Sequence, residues 1–160
     1  MKEIAEKFYS SIRNGDLRII EELITKDPTL INSKDQRGST PLILATYYEH
    51  GDVANFLLDR GADINGVDSS GNTALMGVCF KGFTGIAKRL IEKGANVNTT
   101  NSMGATCLIY AATFNRTEIA QMLLTKGAEV ATKDTRGHTA YDHAKMQGNS
   151  LLMDLLAAKR

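Results

Sequence analysis

Residues 35–45 read DQRGSTPLILA, and three positions of this stretch recur at intervals of 33 residues. The recurring positions are a glycine, a threonine and an apolar residue, found as Gly38, Gly71, Gly104 and Gly137, as Thr40, Thr73, Thr106 and Thr139, and as Leu42, Leu75, Leu108 and Tyr141. A glycine–alanine pair beginning at Gly61, Gly94 and Gly127 has the same period. Several interleaved series with one period indicate an internal repeat.

The local chemistry of each unit predicts a pair of helices. Gly38 permits a tight turn, Thr40 is a suitable N-cap, and Pro41 fits the first position of a helix. We expect this short inner helix to end near His50. A second apolar stripe then marks an antiparallel outer helix, and Gly61 stands just past its end, where a left-handed residue is favoured. Since no single unit buries its apolar stripe alone, the units are expected to stack.

This pattern resembles the ankyrin repeat over nearly the whole chain. The matching strings are DQRGSTPLILA at 35–45, LLDRGADIN at 57–65, LIEKGANVN at 90–98 and LLTKGAEVA at 123–131. The resemblance implies an all-α solenoid of stacked antiparallel helix pairs joined by β-hairpin-like turns. It also implies a single domain over residues 1–160. Its units would be an N-terminal cap repeat at 1–34, internal repeats at 35–67, 68–100 and 101–133, and a C-terminal cap repeat at 134–160.

The overall composition excludes several classes of protein. The 160 residues include 19 Lys+Arg and 18 Asp+Glu, so the net charge of +1 gives no basic footprint for nucleic acid. No run approaches the roughly 18 apolar residues of a membrane span, and the first residues lack the apolar core of a signal peptide. Cys79 and Cys107 stand in apolar runs, which is typical of a reducing compartment. We therefore expect a cytoplasmic protein that binds neither membrane nor nucleic acid.

The chain offers no catalytic, cofactor or metal site that its sequence reveals. His50, His138 and His143 lack metal-ligand spacing among themselves and with either cysteine. The cysteines occupy positions where the family has alanine or proline, so we interpret them as small core residues. Asp142 and His143 resemble half of a catalytic triad by residue type, but no nucleophile stands on a recognisable elbow, so we interpret them as part of a solvated cap helix. We expect a non-enzymatic protein without a cofactor.

In a repeat protein, residues present in every unit are more often structural. Asp35, Asp68 and Asp134, with Asn101 in the same register, are therefore expected to bond to the turn backbone. Function is expected where the units differ. The resemblance implies that the hairpin tips and the exposed side of the inner helices face a partner. On this chain those positions give a set that we name the candidate strip, comprising Arg13, Arg37, Tyr47, Tyr48, Phe80, Lys81, Met103, Phe114, Arg136 and His138.

The candidate strip has the composition of a binding surface. It holds four of the ten aromatic residues of the chain and no carboxylate. Aromatic residues and arginine are enriched in binding hot spots. The alternative is that each aromatic ring packs against the adjacent repeat and only stiffens the stack.

These features predict a monomeric module that binds a partner protein through its concave face. By charge complementarity, the partner surface would be apolar with an acidic fringe. The module would act as an adaptor or by occlusion. A second hypothesis is a stoichiometric inhibitor or antidote protein that covers the active site of a partner enzyme.

Overall fold

A computed structural model describes residues 2–159, so Met1 and Arg160, the two ends of the expected domain, lie outside the described residues. Within this range α-helix is the dominant regular structure, and Val67 and Thr73 form one isolated β-bridge. A single 3₁₀ helix covers Pro28–Asn32. The α-helices are α1 (Lys2–Asn14), α2 (Leu17–Lys26), α3 (Pro41–Tyr47), α4 (Gly51–Asp59), α5 (Ala74–Lys81), α6 (Thr84–Glu92), α7 (Cys107–Thr113), α8 (Thr117–Thr125), α9 (Ala140–Met146) and α10 (Ser150–Ala157). No helix of the described range is both long enough and apolar enough to cross a membrane.

The ten α-helices form five pairs that stack in chain order. Each odd-numbered inner helix packs against the even-numbered outer helix that follows it, as in α3 with α4 and α7 with α8. The inner helices also contact one another in sequence, α1 with α3, α3 with α5, α5 with α7 and α7 with α9. This arrangement confirms the expected solenoid of helix pairs.

Four inner helices begin at the recurring threonine. The hydroxyl of Thr40 accepts the backbone N–H of Ile43 at 3.1 Å, and the other three recurring threonines make the same bond at the start of α5, α7 and α9. A threonine side chain at this position satisfies one of the backbone donors that a helix N-terminus leaves unpaired. The period of 33 therefore marks helix starts, as predicted.

The inner helix α3 ends earlier than its sequence predicts. It stops at Tyr47 rather than near His50, because Glu49 takes a left-handed conformation with φ of 63° and the backbone N–H of His50 folds back to the carbonyl oxygen of Ala45 at 2.8 Å. His50 is instead the residue that precedes α4. The apolar pattern does not predict this early helix end, because the helix end depends on the left-handed conformation of a single non-glycine residue.

The turns between units are stabilised by the recurring Asp or Asn. The carboxylate of Asp68 accepts the backbone N–H groups of Ser70 and Asn72, each at 2.9 Å. Asp35, Asn101 and Asp134 make the equivalent pair of bonds in their own turns. These bonds confirm the structural interpretation of the repeated acidic residues.

Neighbouring turns are also bonded to each other. The backbone N–H of Ser102 donates to the carbonyl oxygen of Ser70 at 2.9 Å, and that of Thr135 donates to the carbonyl oxygen of Met103 at 3.0 Å. The hydroxyl of Ser69 donates to the carbonyl oxygen of Arg37 at 2.6 Å. These turns, which we call the first to fourth hairpins, cover residues 35–39, 68–72, 101–105 and 134–138. Consecutive hairpins are therefore held at a fixed spacing along the stack.

The core runs through all five helix pairs. The recurring leucines Leu42, Leu75 and Leu108 are each 1% exposed. Small residues of the inner helices are buried beside them, which allows the helices of adjacent units to approach closely; these are Ala45, Ala111, Ala112 and Ala144. Cys79 and Cys107 are also fully buried, as expected of core residues.

Replacement of a recurring leucine should measure how strongly the stack depends on its core. Leu75 lies on α5, which packs against both α3 and α7. We expect Leu75→Ala to lower the free energy of unfolding by about 2–5 kcal/mol, because it removes buried apolar contacts and leaves a cavity. Chemical denaturation gives this value. Leu151→Ala is the matched control, since Leu151 is 60% exposed and its loss should change stability by less than about 0.5 kcal/mol.

Gly38 and Gly137 occupy the same position in their turns, so alanine substitutions there distinguish the cost of backbone strain from that of a steric clash. Gly38 and Gly137 have φ of 78° and 82°, so an alanine at either site is strained by about 1–2 kcal/mol. An added Cβ at Gly38 would lie 2.9 Å from the backbone nitrogen of Ser69, whereas one at Gly137 would meet no atom within 4 Å. We expect Gly38→Ala to be clearly more destabilising than Gly137→Ala in denaturant unfolding. Equal losses would contradict the tight packing between hairpins.

Candidate binding surface

The candidate strip is exposed at nearly every position. Nine of its ten residues are exposed and His138 is intermediate. Its apolar members have large exposed fractions, with Met103 at 55%, Tyr48 at 45%, Phe80 at 40%, Tyr47 at 38% and Phe114 at 37%. Single exposed apolar side chains are normal, but a group of them on one surface marks an interaction site.

Exposed apolar side chains are concentrated on this side of the molecule. Among the described residues, the large exposed apolar side chains outside the candidate strip are Ile4, Met146 and Leu151. Met146 itself ends the inner helix α9. The outer helices therefore contribute only Leu151 to this set, and the inner helices and hairpins contribute most of it.

The first group of aromatic residues lies between α3 and α5. The rings of Tyr47 and Tyr48 meet edge to face at 5.6 Å between centroids. The ammonium nitrogen of Lys81 lies 4.9 Å from the ring centroid of Tyr47, within the range of a cation–π interaction. Gly77 lies beside this ring, and a Cβ there would be in ordinary van der Waals contact with Cδ2 of Tyr47 at 3.7 Å.

The second group of aromatic residues joins α5 to α7. The rings of Phe80 and Phe114 pack edge to face with centroids 4.8 Å apart, and Tyr110 stacks on Phe114 at 6.4 Å. The rings therefore do contact the adjacent repeat, as the structural alternative requires, while more than a third of the Phe80 and Phe114 surfaces stays exposed. Sequence analysis missed Tyr110. Its place one helical turn before Phe114 was the available signal.

A groove of about 1200 Å³ opens at the N-terminal end of this surface, between α1, the first two hairpins and α3. Four residues of the candidate strip line it, namely Arg13, Arg37, Tyr47 and Tyr48. The other charged residues of its lining, which sequence analysis did not include, are Lys2, Glu6, Lys34, Asp35 and Asp68. The remaining members of the strip do not line this groove.

The groove has more cationic side chains than carboxylates that a partner could contact. It has four cationic side chains and three carboxylates. Two of these carboxylates, those of Asp35 and Asp68, already accept backbone N–H groups in their own turns. The groove thus differs from the candidate strip, because its lining includes carboxylates and the strip has none.

Tyr9 adds a neutral phenol to the lining of this groove. Its hydroxyl and that of Ser33 are hydrogen-bonded at 2.6 Å. Burial raises the pKa of Tyr9, and the nearby charge of Asp35 acts in the same direction against the opposing effect of the Ser33 bond. Tyr9 therefore offers a hydrogen-bonding group and an apolar ring rather than a charge.

His50 has a structural role. Its Nε2 lies 2.8 Å from the carbonyl oxygen of Arg13, so it bonds the end of α1 to the start of α4. Arg116, at the corresponding point two units later, donates from Nη2 to the carbonyl oxygen of Phe80 at 3.0 Å. Both side chains connect the end of one inner helix to the next unit.

Asp142 and His143 are adjacent in the sequence but take different hydrogen-bond partners. The carboxylate of Asp142 accepts the backbone N–H of Thr139 at 2.9 Å, which completes a capping box at the start of α9. The Nε2 of His143 lies instead 2.7 Å from Oδ2 of Asp134. The folded turn brings His138 to the same place, with its ring centroid 5.6 Å from that of His143.

Asp134 is held as a carboxylate at this place. Burial acts to raise its pKa, but hydrogen bonds from the backbone N–H of His138, from His143 and from the backbone N–H of Arg136 together lower the pKa of Asp134 below its usual range. The spacing of Asp134, His138 and His143 along the chain gave no sign of this cluster, because the hairpin that closes it is not visible in the spacing.

The two cysteines lack the environment of a reactive thiolate. The hydrogen bond to Cys107 and full burial raise the pKa of Cys79 well above its usual range. A thiol is a nucleophile only in its ionised form. Cys79 is therefore a protonated core residue.

Comparison with known proteins identifies the repeated unit. Residues 23–76 match a family model described as ankyrin repeats (many copies), and residues 61–134 and 80–159 match one described as ankyrin repeats (3 copies). The chain belongs to the ankyrin repeat family. Ankyrin repeats are generic protein–protein interaction modules and are typically non-catalytic.

Similar curated proteins share only a short stretch of repeats with this chain. The human NAD-capped RNA hydrolase NUDT12 is 33% identical over 62 residues, which is 39% of this chain and 13% of that protein. The BTB/POZ domain-containing protein 3 of Schizosaccharomyces pombe is 42% identical over 50 residues, or 31% of this chain and 10% of that protein. The human DNA-binding protein RFXANK is 41% identical over 49 residues, or 31% of this chain and 19% of that protein. This ankyrin chain thus spans less than a fifth of the length of these relatives.

A double-mutant cycle should show how far the Phe80–Phe114 contact stabilises the stack. From the edge-to-face geometry we expect a coupling energy of about 0.5–1.5 kcal/mol between Phe80→Ala and Phe114→Ala in urea unfolding. The control cycle combines Tyr48→Ala with Phe114→Ala, whose rings make no direct contact, and should give a coupling near zero. A coupling near zero in both cycles would contradict a stabilising aromatic contact between repeats.

Proposed function

We propose that this ankyrin-repeat protein binds a partner protein through its concave face, formed by the hairpin tips and the inner helices. The observation that carries the proposal is the concentration of exposed aromatic side chains at the C-terminal ends of α3, α5 and α7. Tyr48, Phe80 and Phe114 keep 45%, 40% and 37% of their surface exposed. Aromatic side chains that stay accessible in a well-packed scaffold fit the centre of a protein interface.

The charge of the candidate strip supports a partner with an acidic fringe. In the part of the chain with described positions, the ion pairs join Arg18 to Glu22, Lys93 to Asp59 and His143 to Asp134. None of these ion pairs involves a cationic side chain of the candidate strip, so the positive charges of the strip remain available to carboxylates of a partner. Such pairs at the rim of an interface act mainly on orientation and on the rate of association. The strip cations are Arg13, Arg37, Lys81 and Arg136.

The surface is large enough for a stable complex. A standard interface buries about 800 Å² on each partner. The described chain exposes 8304 Å², so such a contact would use about a tenth of its surface. The candidate strip has members in the first, third and fourth hairpins and at the ends of α1, α3, α5 and α7, and the groove adds residues of α1. Together they provide an elongated footprint for a folded partner.

The mechanism we propose is non-covalent occlusion or tethering by a monomer. We assign the binding unit to one domain with internal repeats at 35–67, 68–100 and 101–133, and cap repeats at 1–34 and 134–160. A cytoplasmic location agrees with two buried free cysteines. An adaptor would leave the activity of its partner unchanged, whereas an inhibitor or antidote protein would lower it at a 1:1 ratio, so an assay of the captured partner separates the two roles.

Loss of three aromatic rings from the strip should abolish capture of the partner. We expect wild-type bait to retain a stoichiometric protein from a source lysate and the Tyr47→Ala/Phe80→Ala/Phe114→Ala bait to lose it. With the isolated partner the affinity should fall at least tenfold, since a hot-spot residue contributes about 2 kcal/mol or more. Circular dichroism and denaturant unfolding establish that both baits are folded.

The matched control removes apolar surface away from the strip. Ile4→Ala/Leu151→Ala alters two exposed apolar residues at 47% and 60% exposure and should retain the partner. Equal retention by the folded triple variant would contradict the assignment of the concave face.

A further inference from the structure

The fourth hairpin and α9 bring two imidazoles and one carboxylate together. One ligand atom from each of Asp134, His138 and His143 lies within 4.8 Å of the other two. We propose that these three side chains bind a divalent zinc ion. This site shares His138 with the candidate strip, but it uses none of the aromatic rings that carry the proposed protein-binding role and does not depend on that role.

The donor set matches the chemistry of zinc. Imidazole nitrogen and carboxylate oxygen both bind Zn²⁺ at about 2.0–2.2 Å, and three protein ligands leave a fourth position for water. Ligand atoms around a tetrahedral zinc ion are therefore about 3.3 Å apart. The present separations reach no more than 4.8 Å, so a small rotation of an imidazole ring would complete the geometry.

Two of the ligand atoms already face each other. Nε2 of His143 lies 2.7 Å from Oδ2 of Asp134, a contact that a proton now bridges. On binding, the metal ion would take the place of that proton at Nε2: a neutral imidazole would carry its proton on Nδ1 instead, and an imidazolium would release one proton to solvent. The two ligand atoms would then separate by a few tenths of an ångström. Both side chains are partly shielded from water, with 17% of His143 and 12% of Asp134 exposed.

The carboxylate is held in place by its own turn. Oδ1 of Asp134 accepts the backbone N–H groups of Arg136 and His138, each at 3.0 Å, which leaves Oδ2 directed at His143. Hydrogen bonds of this kind orient a ligating carboxylate and limit its rotation. The ring of His138 contacts that of His143 edge to face, and within the described residues its nitrogens have no hydrogen-bond partner. The Asp134–His143 hydrogen bond therefore does not explain why a histidine stands at position 138.

The same register in the other hairpins does not supply these ligands. The position equivalent to His138 is at the end of each hairpin, and the position equivalent to His143 is on the inner helix that follows. These positions are Ser39 and Leu44 in the first internal repeat, Asn72 and Gly77 in the second, and Ala105 and Tyr110 in the third. In the third hairpin the side-chain amide of Asn101 donates to the hydroxyl of Tyr110 at 2.8 Å, so a simple hydrogen bond satisfies that turn. The fourth hairpin departs from the repeat by having imidazoles at both positions.

Three variants remove one ligand each while keeping the local structure. His143→Gln retains an N–H donor for Asp134 but has no imidazole. Asp134→Asn reproduces the turn that Asn101 already forms, with the side-chain oxygen accepting two backbone N–H groups at 3.0 Å. His138→Gln changes a side chain that makes no hydrogen bond in the described range.

Zinc titration of untagged, metal-free protein tests the site. By calorimetry we expect one Zn²⁺ per chain for wild type, and an affinity at least tenfold lower for each of the three variants, since even changes around a metal site commonly cost tenfold. Co²⁺ should give the visible absorption of a four-coordinate ion in wild type only. Zinc should also raise the thermal midpoint of wild type and not that of His138→Gln. His50→Gln is the matched control, because it removes a histidine elsewhere and should bind zinc as wild type does.

Two results would overturn the proposal. One is the absence of saturable 1:1 binding by the folded wild-type protein. The other is zinc affinity in His138→Gln or His143→Gln equal to that of wild type, which would assign Asp134 and His143 to a structural hydrogen bond alone. Circular dichroism of each metal-free variant confirms that any loss arises at the site and not from unfolding.

Discussion

Burial of each helix pair against its neighbours is the interaction on which the rest of this structure depends. A unit of 33 residues is too short to enclose its own apolar stripe, so Leu42, Leu75 and Leu108 become buried only when α3, α5 and α7 lie side by side. Alanines and cysteines on the inner helices permit this close approach. The backbone bonds between adjacent hairpins then set the spacing at which the next unit can dock.

The packing of the helix pairs also determines which side chains are exposed to a partner. Because one side of each inner helix is used for stacking, its other side and the hairpin tips are left as a continuous exposed surface. The rings of Phe80 and Phe114 belong to both regions, since they pack against each other across two units and still keep more than a third of their surface accessible. Stiffening of the stack and presentation of an apolar surface are therefore two consequences of one arrangement rather than alternatives.

Most of the fold could be predicted because it rests on local rules that repeat. A threonine that caps a helix, a glycine that takes a left-handed conformation and an aspartate that bonds to its own turn each act within a few residues, and the 33-residue period showed which occurrences mattered. The predicted end of α3 was wrong because a non-glycine residue, Glu49, takes the left-handed conformation that stops the helix. The residues of the candidate strip are exposed or partly exposed, while the groove beside α1 was not foreseen, since it is formed by segments from three different units of the chain.

The sequence by itself determined the repeat, the helix pairs and the side of each helix that is buried, because all three follow from the spacing of apolar, capping and turn residues. Only the tertiary structure decided which side chains meet. His143 pairs with Asp134, nine residues before it, rather than with the adjacent Asp142, because residues next to each other on a helix point in different directions while the hairpin folds back over α9. The same folding brings His138 into the cluster and places Tyr110 against Phe114. Distances of this kind depend on the path of the backbone in three dimensions, which the spacing of residues along the chain does not specify.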